Sequence, residues 1–106
     1  MNEVVRGLLS ELKAGLQASY GQRLKGVYLY GSYARGEADS ESDVDVLVVL
    51  DRIDRYAAEV QRTSELGSTV SLKYGVTVSH VFLREADWLH KETPFLGNAR
   101  EEAIPA

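Results

Sequence analysis

The sequence predicts an α+β fold: a small mixed β-sheet flanked by helices, in the order α-β-(short α)-β-α-β-α. Three observations predict it. Val4, Val5, Leu8, Leu9, Leu12 and Leu16 recur at helical spacing, with Arg6, Glu11, Lys13 and Gln17 between them. Val44-Asp45-Val46-Leu47-Val48-Val49-Leu50 is the most β-branched run of the chain and reads as a buried strand. Helical and extended patterns then alternate to the C-terminus.

Each element has its own signal. The first helix stops at Gly21. Leu24 to Tyr30 is short, apolar and aromatic, and reads as a strand ended by Gly31-Ser32. Tyr33-Ala34-Arg35 forms at most one helical turn before Gly36, and residues 37–42 are a polar loop. After the β-branched strand, Asp51 or Asp54 is a candidate cap for a helix in which Ile53, Ala57, Val60 and Ser64 share a face. Gly67 and Ser68 leave open whether that helix runs unbroken to Lys73. Tyr74-Gly75 is a turn, Val76 to Leu83 a third strand, and Glu85 to Ala106 two helical pieces broken at Thr93-Pro94.

Length and composition bound the function. The 106 residues suffice for a single domain, 1–106, with one core. Without cysteine there are no disulfides, no thiolate chemistry and no Cys-based zinc site. No apolar run approaches the roughly 18 residues of a membrane span. The N-terminus lacks the basic stretch of a signal peptide, so a cytoplasmic protein is expected. A net charge of −4 argues against broad binding to nucleic-acid phosphates. So short a chain has little surface for a large acceptor; as an enzyme it is expected to borrow surface from a partner and to form an oligomer.

The charge is concentrated in one stretch. Residues 31–54 hold seven acids (Glu37, Asp39, Glu41, Asp43, Asp45, Asp51, Asp54) against Arg35 and Arg52. Asp43 and Asp45 sit where the polar loop becomes the apolar strand. Alternate strand residues share a face, which puts the two carboxylates about 6.5–7 Å apart along the chain. They repel unless a cation sits between them, and they suit a hard divalent ion such as Mg²⁺. The alternative is a pair of solvated loop acids. Upstream, Gly31-Ser32 ends a strand and opens into a helical turn, offering free backbone N–H groups and a hydroxyl to an anion. Arg35 can add a charge-assisted contact. Here the alternatives are an ordinary turn and a surface cation that balances the acidic loop. The stretch is not a calcium loop, because Val44 stands where that loop needs glycine. Nor is it a P-loop, because no Gly-Lys-Ser/Thr ending exists.

Taken together, Gly31-Ser32-Tyr33-Ala34-Arg35-Gly36, the polar loop, and Ser42-Asp43-Val44-Asp45-Val46-Leu47-Val48 resemble the signature of the DNA polymerase β-like nucleotidyltransferase superfamily. The short length is similar to its minimal nucleotidyltransferase (MNT) branch. The signature covers about residues 27–50, and the flanking element order is compatible with that fold. The resemblance implies that Gly31 and Ser32, with Arg35 and Ser42, bind the nucleotide, and that Asp43 and Asp45 are catalytic and hold Mg²⁺ or Mn²⁺. It implies transfer of a nucleoside monophosphate, AMP from ATP in the first instance, to an acceptor hydroxyl.

One departure stands out. Active members carry a third acid on the next strand, and here that strand, Gly75 to Leu83, has none. Ser79 or Thr77 stands at the position, and a hydroxyl is a poor metal ligand and a poor base. His80 is a candidate base, but neighbours alternate faces, so Ser79 and His80 cannot both face the site. Its other reading is a strand histidine with a local hydrogen bond. Glu85, Asp87 or a partner are the other possible sources of the acid.

The MNT branch further resembles the antitoxin half of two-gene pairs whose other half is a HEPN-domain toxin, which implies a HEPN partner as acceptor. Two functions are therefore expected to compete: an active Mg-dependent transferase acting on that partner, and a catalytically weak nucleotide-binding antitoxin that neutralises it by binding. Trp88, Phe95, Leu96 and Ile104 are expected to pack the last helices onto the sheet, or else to form a partner surface. His90 is expected in solvent. Tyr28 and Tyr30 share a strand face as core and rim, and Tyr33 is a candidate nucleotide contact.

Overall fold

In the computed structural model, which describes residues 2–106, the chain begins with α1 (Glu3–Tyr20). Asn2 caps it, its side chain accepting the Val5 N–H at 2.8 Å. Val5, Leu8, Leu9, Leu12 and Leu16 are buried along one face, whereas Val4, in the first turn, is 46% exposed. The helix ends where Gly21 turns to φ +55°.

β1 (Leu24–Tyr30), α2 (Ser32–Arg35) and β2 (Val44–Leu50) follow as the sequence predicts. Strand β3 is Val78–Arg84, shifted from the expected start at Val76. Gly75 closes the preceding helix in the left-handed region at φ +69°, and Val76 and Thr77 lead in, the Thr77 carbonyl accepting the Val44 N–H. After β3 come α4 (Glu85–His90) and α5 (Pro94–Glu102), separated at Thr93-Pro94, where the Thr93 hydroxyl caps the Leu96 N–H at 3.1 Å. The Arg100 side chain donates to the Trp88 carbonyl at 2.7 Å and ties the two helices together. A two-residue strand, β4 (Ile104–Pro105), ends the order; no sequence pattern announces it.

The sheet runs β3-β2-β1-β4 and is mixed: β1 is antiparallel to β2 and β4, and β2 is parallel to β3. Val44, Val46, Val48 and Leu50 face α1 and join its leucines, Val27, Leu29, Val70 and Phe82 in the main core. On the opposite face, Tyr28 packs on Trp88 with ring centroids 5.0 Å apart, and Tyr30 meets Phe95 edge-on at 5.8 Å. With Leu96 and Ala99 buried, α4 and α5 are held on that face, as expected of Trp88, Phe95 and Leu96; Ile104 sits instead in β4. β2 is covered on both sides, which explains its nearly unbroken apolar run.

Helix α3 (Tyr56–Tyr74) answers the point left open at Gly67-Ser68 and departs from the expectation in its inward face. It runs unbroken through Gly67-Ser68, and the face turned inward is Glu59, Thr63, Gly67 and Val70. Ala57, Val60 and Ser64 are exposed, Ile53 precedes the helix, and neither Asp51 nor Asp54 caps it. The reason lies in partners that apolar periodicity cannot register. Glu59 is buried because it accepts the Tyr20 hydroxyl at 2.9 Å and the Arg23 guanidinium at 3.2 Å. Gly67 lets the helix approach β3: a Cβ there would lie 2.9 Å from His80 Cε1. Close approach, not a break, is what the glycine permits.

Candidate active site

The site forms where β1 ends beside the start of β2. Tyr30 pairs with Asp45 across the antiparallel ladder, so the next residue, Gly31, turns directly over the Asp45 side chain. Gly31 has φ +76° and ψ −155°, a region essentially reserved for glycine. A Cβ at Gly31 would stand 2.2 Å from Asp45 Oδ2. The turn and the carboxylate are thus in direct contact, although fourteen positions separate them in sequence.

Tyr30, Gly31, Ser32, Arg35 and Asp45 form one wall of an open cleft with a volume of about 600 Å³. Phe95, Asn98 and Glu102 of α5 stand on its other side. Asp45 is half-buried, and Asp43, one residue ahead of β2, is exposed. Burial, and then the negative charge of Asp43, push the Asp45 carboxyl above its ordinary range, while Arg35 draws it back. A carboxylate raised by burial and by a neighbouring acid's charge is the half of an oxygen-donor pair that a hard divalent cation would relieve.

The other predicted residues take different places. Ser42 is not in the cleft wall; its hydroxyl accepts the Asp39 N–H at 3.0 Å and pins the acidic loop. Tyr33 packs against the core. Ser79 lies opposite Asp45 in the parallel ladder, the position where the resemblance implies a third acid, and Thr77 lies outside β3. Glu85 and Asp87 follow the far end of β3; at about 3.3 Å per residue, Glu85 lies roughly 20 Å along the strand from Ser79. Asp87 is paired there with Arg84 at 3.2 Å. Among the described residues no group of three or more His, Cys, Asp or Glu side chains is placed to hold a metal.

His80 pairs with Val46 and faces α3, away from Asp45. Its Nε2 is buried without a partner, so the local hydrogen bond expected there is not formed. Burial lowers its pKa below the ordinary 6.5, so protons bind the unfolded chain more readily. The stability this contributes is fully present above about pH 6.5 and is lost as pH falls toward the lowered value. Urea unfolding from about pH 7.5 down to about pH 5 is expected to show that loss, and His80→Leu to flatten it.

Glu102 is the site residue that no motif marked. The Gly31 N–H donates to its Oε1 at 3.0 Å and the Arg35 guanidinium to its Oε2 at 3.1 Å. It lies 71 positions from Gly31, and only the fold joins them.

Residues 9–97 match the nucleotidyltransferase domain family, and the chain belongs to it. It is 35% identical over 78 residues to a Methanocaldococcus jannaschii protein named "putative protein adenylyltransferase", covering 74% of this chain and 78% of that one. Over 71 residues it is 34% identical to the protein adenylyltransferase MntA of Thermococcus cleftensis, covering 67% and 70%. Its fold is similar to a solved toxin–antitoxin structure with AMP-PNP, at a TM-score of 0.61 and 19% identity over 89% of this chain and 68% of that one. A mutant toxin–antitoxin MntA–HpeT structure gives 0.57 at 17% identity over 88% and 67%. The chain is a nucleotidyltransferase, and its mixed sheet with flanking helices is the fold of that class. No helix among the described residues is long and apolar enough to cross a membrane.

Proposed function

We propose that this nucleotidyltransferase moves AMP from ATP to a hydroxyl group of a partner protein, a HEPN-domain toxin, using Mg²⁺ or Mn²⁺ held by Asp43 and Asp45. The observation that carries the reading is the contact between Gly31 and the Asp45 carboxylate, which sets a phosphate-binding turn against a cation-binding side chain. The names of the relatives support the protein acceptor, and the two toxin–antitoxin neighbours support a toxin as partner.

In this mechanism the Gly31 N–H, the Ser32 hydroxyl and Arg35 grip the phosphates and orient the α-phosphorus. The acceptor oxygen attacks it in line; the bond to the bridging oxygen breaks, pyrophosphate leaves, and the hydroxyl proton passes to solvent or a nearby base. The metal, when bound, supplies charge stabilisation to the attacking and leaving oxygens. Asp43 and Asp45 fit it as hard oxygen donors whose mutual repulsion a cation relieves.

A second reading has its own observation. Ser79 stands opposite Asp45 where the resemblance implies an acid, and among the described residues no third His, Cys, Asp or Glu completes a metal-holding group with the pair. A chain that binds nucleotide and partner but transfers little would fit that arrangement. Incubation with the HEPN partner, Mg²⁺ and ATP labelled at the α-phosphorus separates the two. The proposal expects label on the partner and release of unlabelled pyrophosphate; a stable complex that binds ATP and never gains label establishes the second reading.

A further inference from the structure

Two of the three donors given above to the nucleotide's phosphates are already engaged. One carboxylate, that of Glu102, takes the Gly31 N–H on one oxygen and the Arg35 guanidinium on the other, at 3.0 and 3.1 Å. The guanidinium and backbone N–H that hold this planar carboxylate are the same donors that would hold a phosphate oxygen. The placement is not electrostatically free: Glu102 stands close enough to Asp45 to add to the repulsion on its carboxyl. The two hydrogen bonds offset that cost, and the Gly31 N–H in particular holds the Glu102 carboxyl below its ordinary range. The side chain can also leave. It is the last residue of α5, it borders the cleft, and its side chain is 21% exposed. Beyond it, the chain is tied to β1 through two paired residues and the Ala106 N–H.

We infer that Glu102 is an intramolecular competitor for the phosphate grip: it occupies Gly31 and Arg35 in the nucleotide-free chain and must withdraw before a triphosphate can seat. This rests on the nucleotide site proposed above. A carboxylate and a phosphate cannot share the same two donors, so the measured affinity for nucleotide is the intrinsic affinity reduced by the fraction of chains whose grip is open. The grip is thereby closed within an open cleft, and opening it takes only the withdrawal of the Glu102 side chain at the end of α5.

The test is calorimetric titration of the full chain with ATP and Mg²⁺. Glu102→Gln, which removes the charge and keeps the shape, is expected to tighten ATP binding by about five- to thirtyfold. Glu102→Asp keeps the charge and shortens the reach, and is also expected to bind more tightly than wild type. Should Glu102→Gln fail to fold, Glu102→Asp carries the same comparison. Glu37→Gln removes a charge that also pairs with Arg35, at 3.2 Å, with no bond to Gly31; it is expected to change affinity by less than about twofold. If wild type binds ATP and both Glu102 variants bind no more tightly, the competitor is overturned and the nucleotide site stands. A gain in Glu37→Gln equal to that in Glu102→Gln also overturns it, because net charge rather than occupancy would then set the affinity. If neither wild type nor the Glu102 variants bind ATP, the nucleotide site fails and the competitor with it.

Discussion

Asp45→Asn lowers nucleotidyl transfer by about a hundredfold to a thousandfold while leaving the chain folded, and in a thermal melt it raises the midpoint. The two effects share one cause. Asp45 is the only acid of the pair that lies in the cleft wall, and it touches the turn proposed to receive the phosphates. In the proposed mechanism, removing its charge removes a ligand for the cation that would stabilise the transition state, at a cost of about 2.7–4 kcal/mol, the size seen for other single groups aimed at developing charge. The same charge is unwelcome in the folded chain. Burial and Asp43 raise the carboxyl above its ordinary range, so at neutral pH its ionised form destabilises the fold, and the neutral isostere relieves this. Transfer assays and melting curves on one preparation check both. Lost activity with a lower melting midpoint would make Asp45 a structural residue.

Gly31→Ala is the second large effect, and it reverses the sign on stability. Alanine at φ +76° and ψ −155° costs about 1–3 kcal/mol from the backbone alone. Its methyl group would also arrive 2.2 Å from Asp45 Oδ2, so either the turn or the carboxylate has to move. A loss of this size lowers the melting midpoint by about 4–8 °C for each kcal/mol in a domain of this length. Transfer is expected to fall with it, because the turn and the carboxylate keep their working distance only while no side chain intervenes. Gly36→Ala is the control for backbone strain: its φ is +73°, but a Cβ there meets nothing within 4 Å, so stability falls and transfer does not.

The parts of this site legible in sequence are those built from near neighbours. The β-branched run at 44–50 marked β2 to the residue, because a strand buried on both faces excludes nearly every polar side chain. Gly31 was marked by the type of residue its backbone requires. Helix α3 was legible as a helix but not in its orientation. Its inward face is set by a buried carboxylate that answers Tyr20 and Arg23 and by a glycine that admits His80, and both depend on residues elsewhere in the chain. β4 was hidden because two residues have no periodicity. Glu102 was hidden for a different reason: a glutamate at the end of a polar helix looks like any solvated acid until the fold carries it to Gly31.

The covering of β2 on both faces also sets the site's timescales. Asp45 rides on a strand covered by α1 on one side and by the Tyr28–Trp88 layer on the other, which places it on one of the most firmly held elements of the domain. Asp43 and Ser42 belong to a polar loop held by a few bonds around Asp39, and loops of this kind rearrange faster than buried strands. The carboxylate pair therefore has one fixed jaw and one adjustable jaw. On the proposed reading, a cation arriving at the site would meet Asp45 already in place, and Asp43 would close on it afterwards.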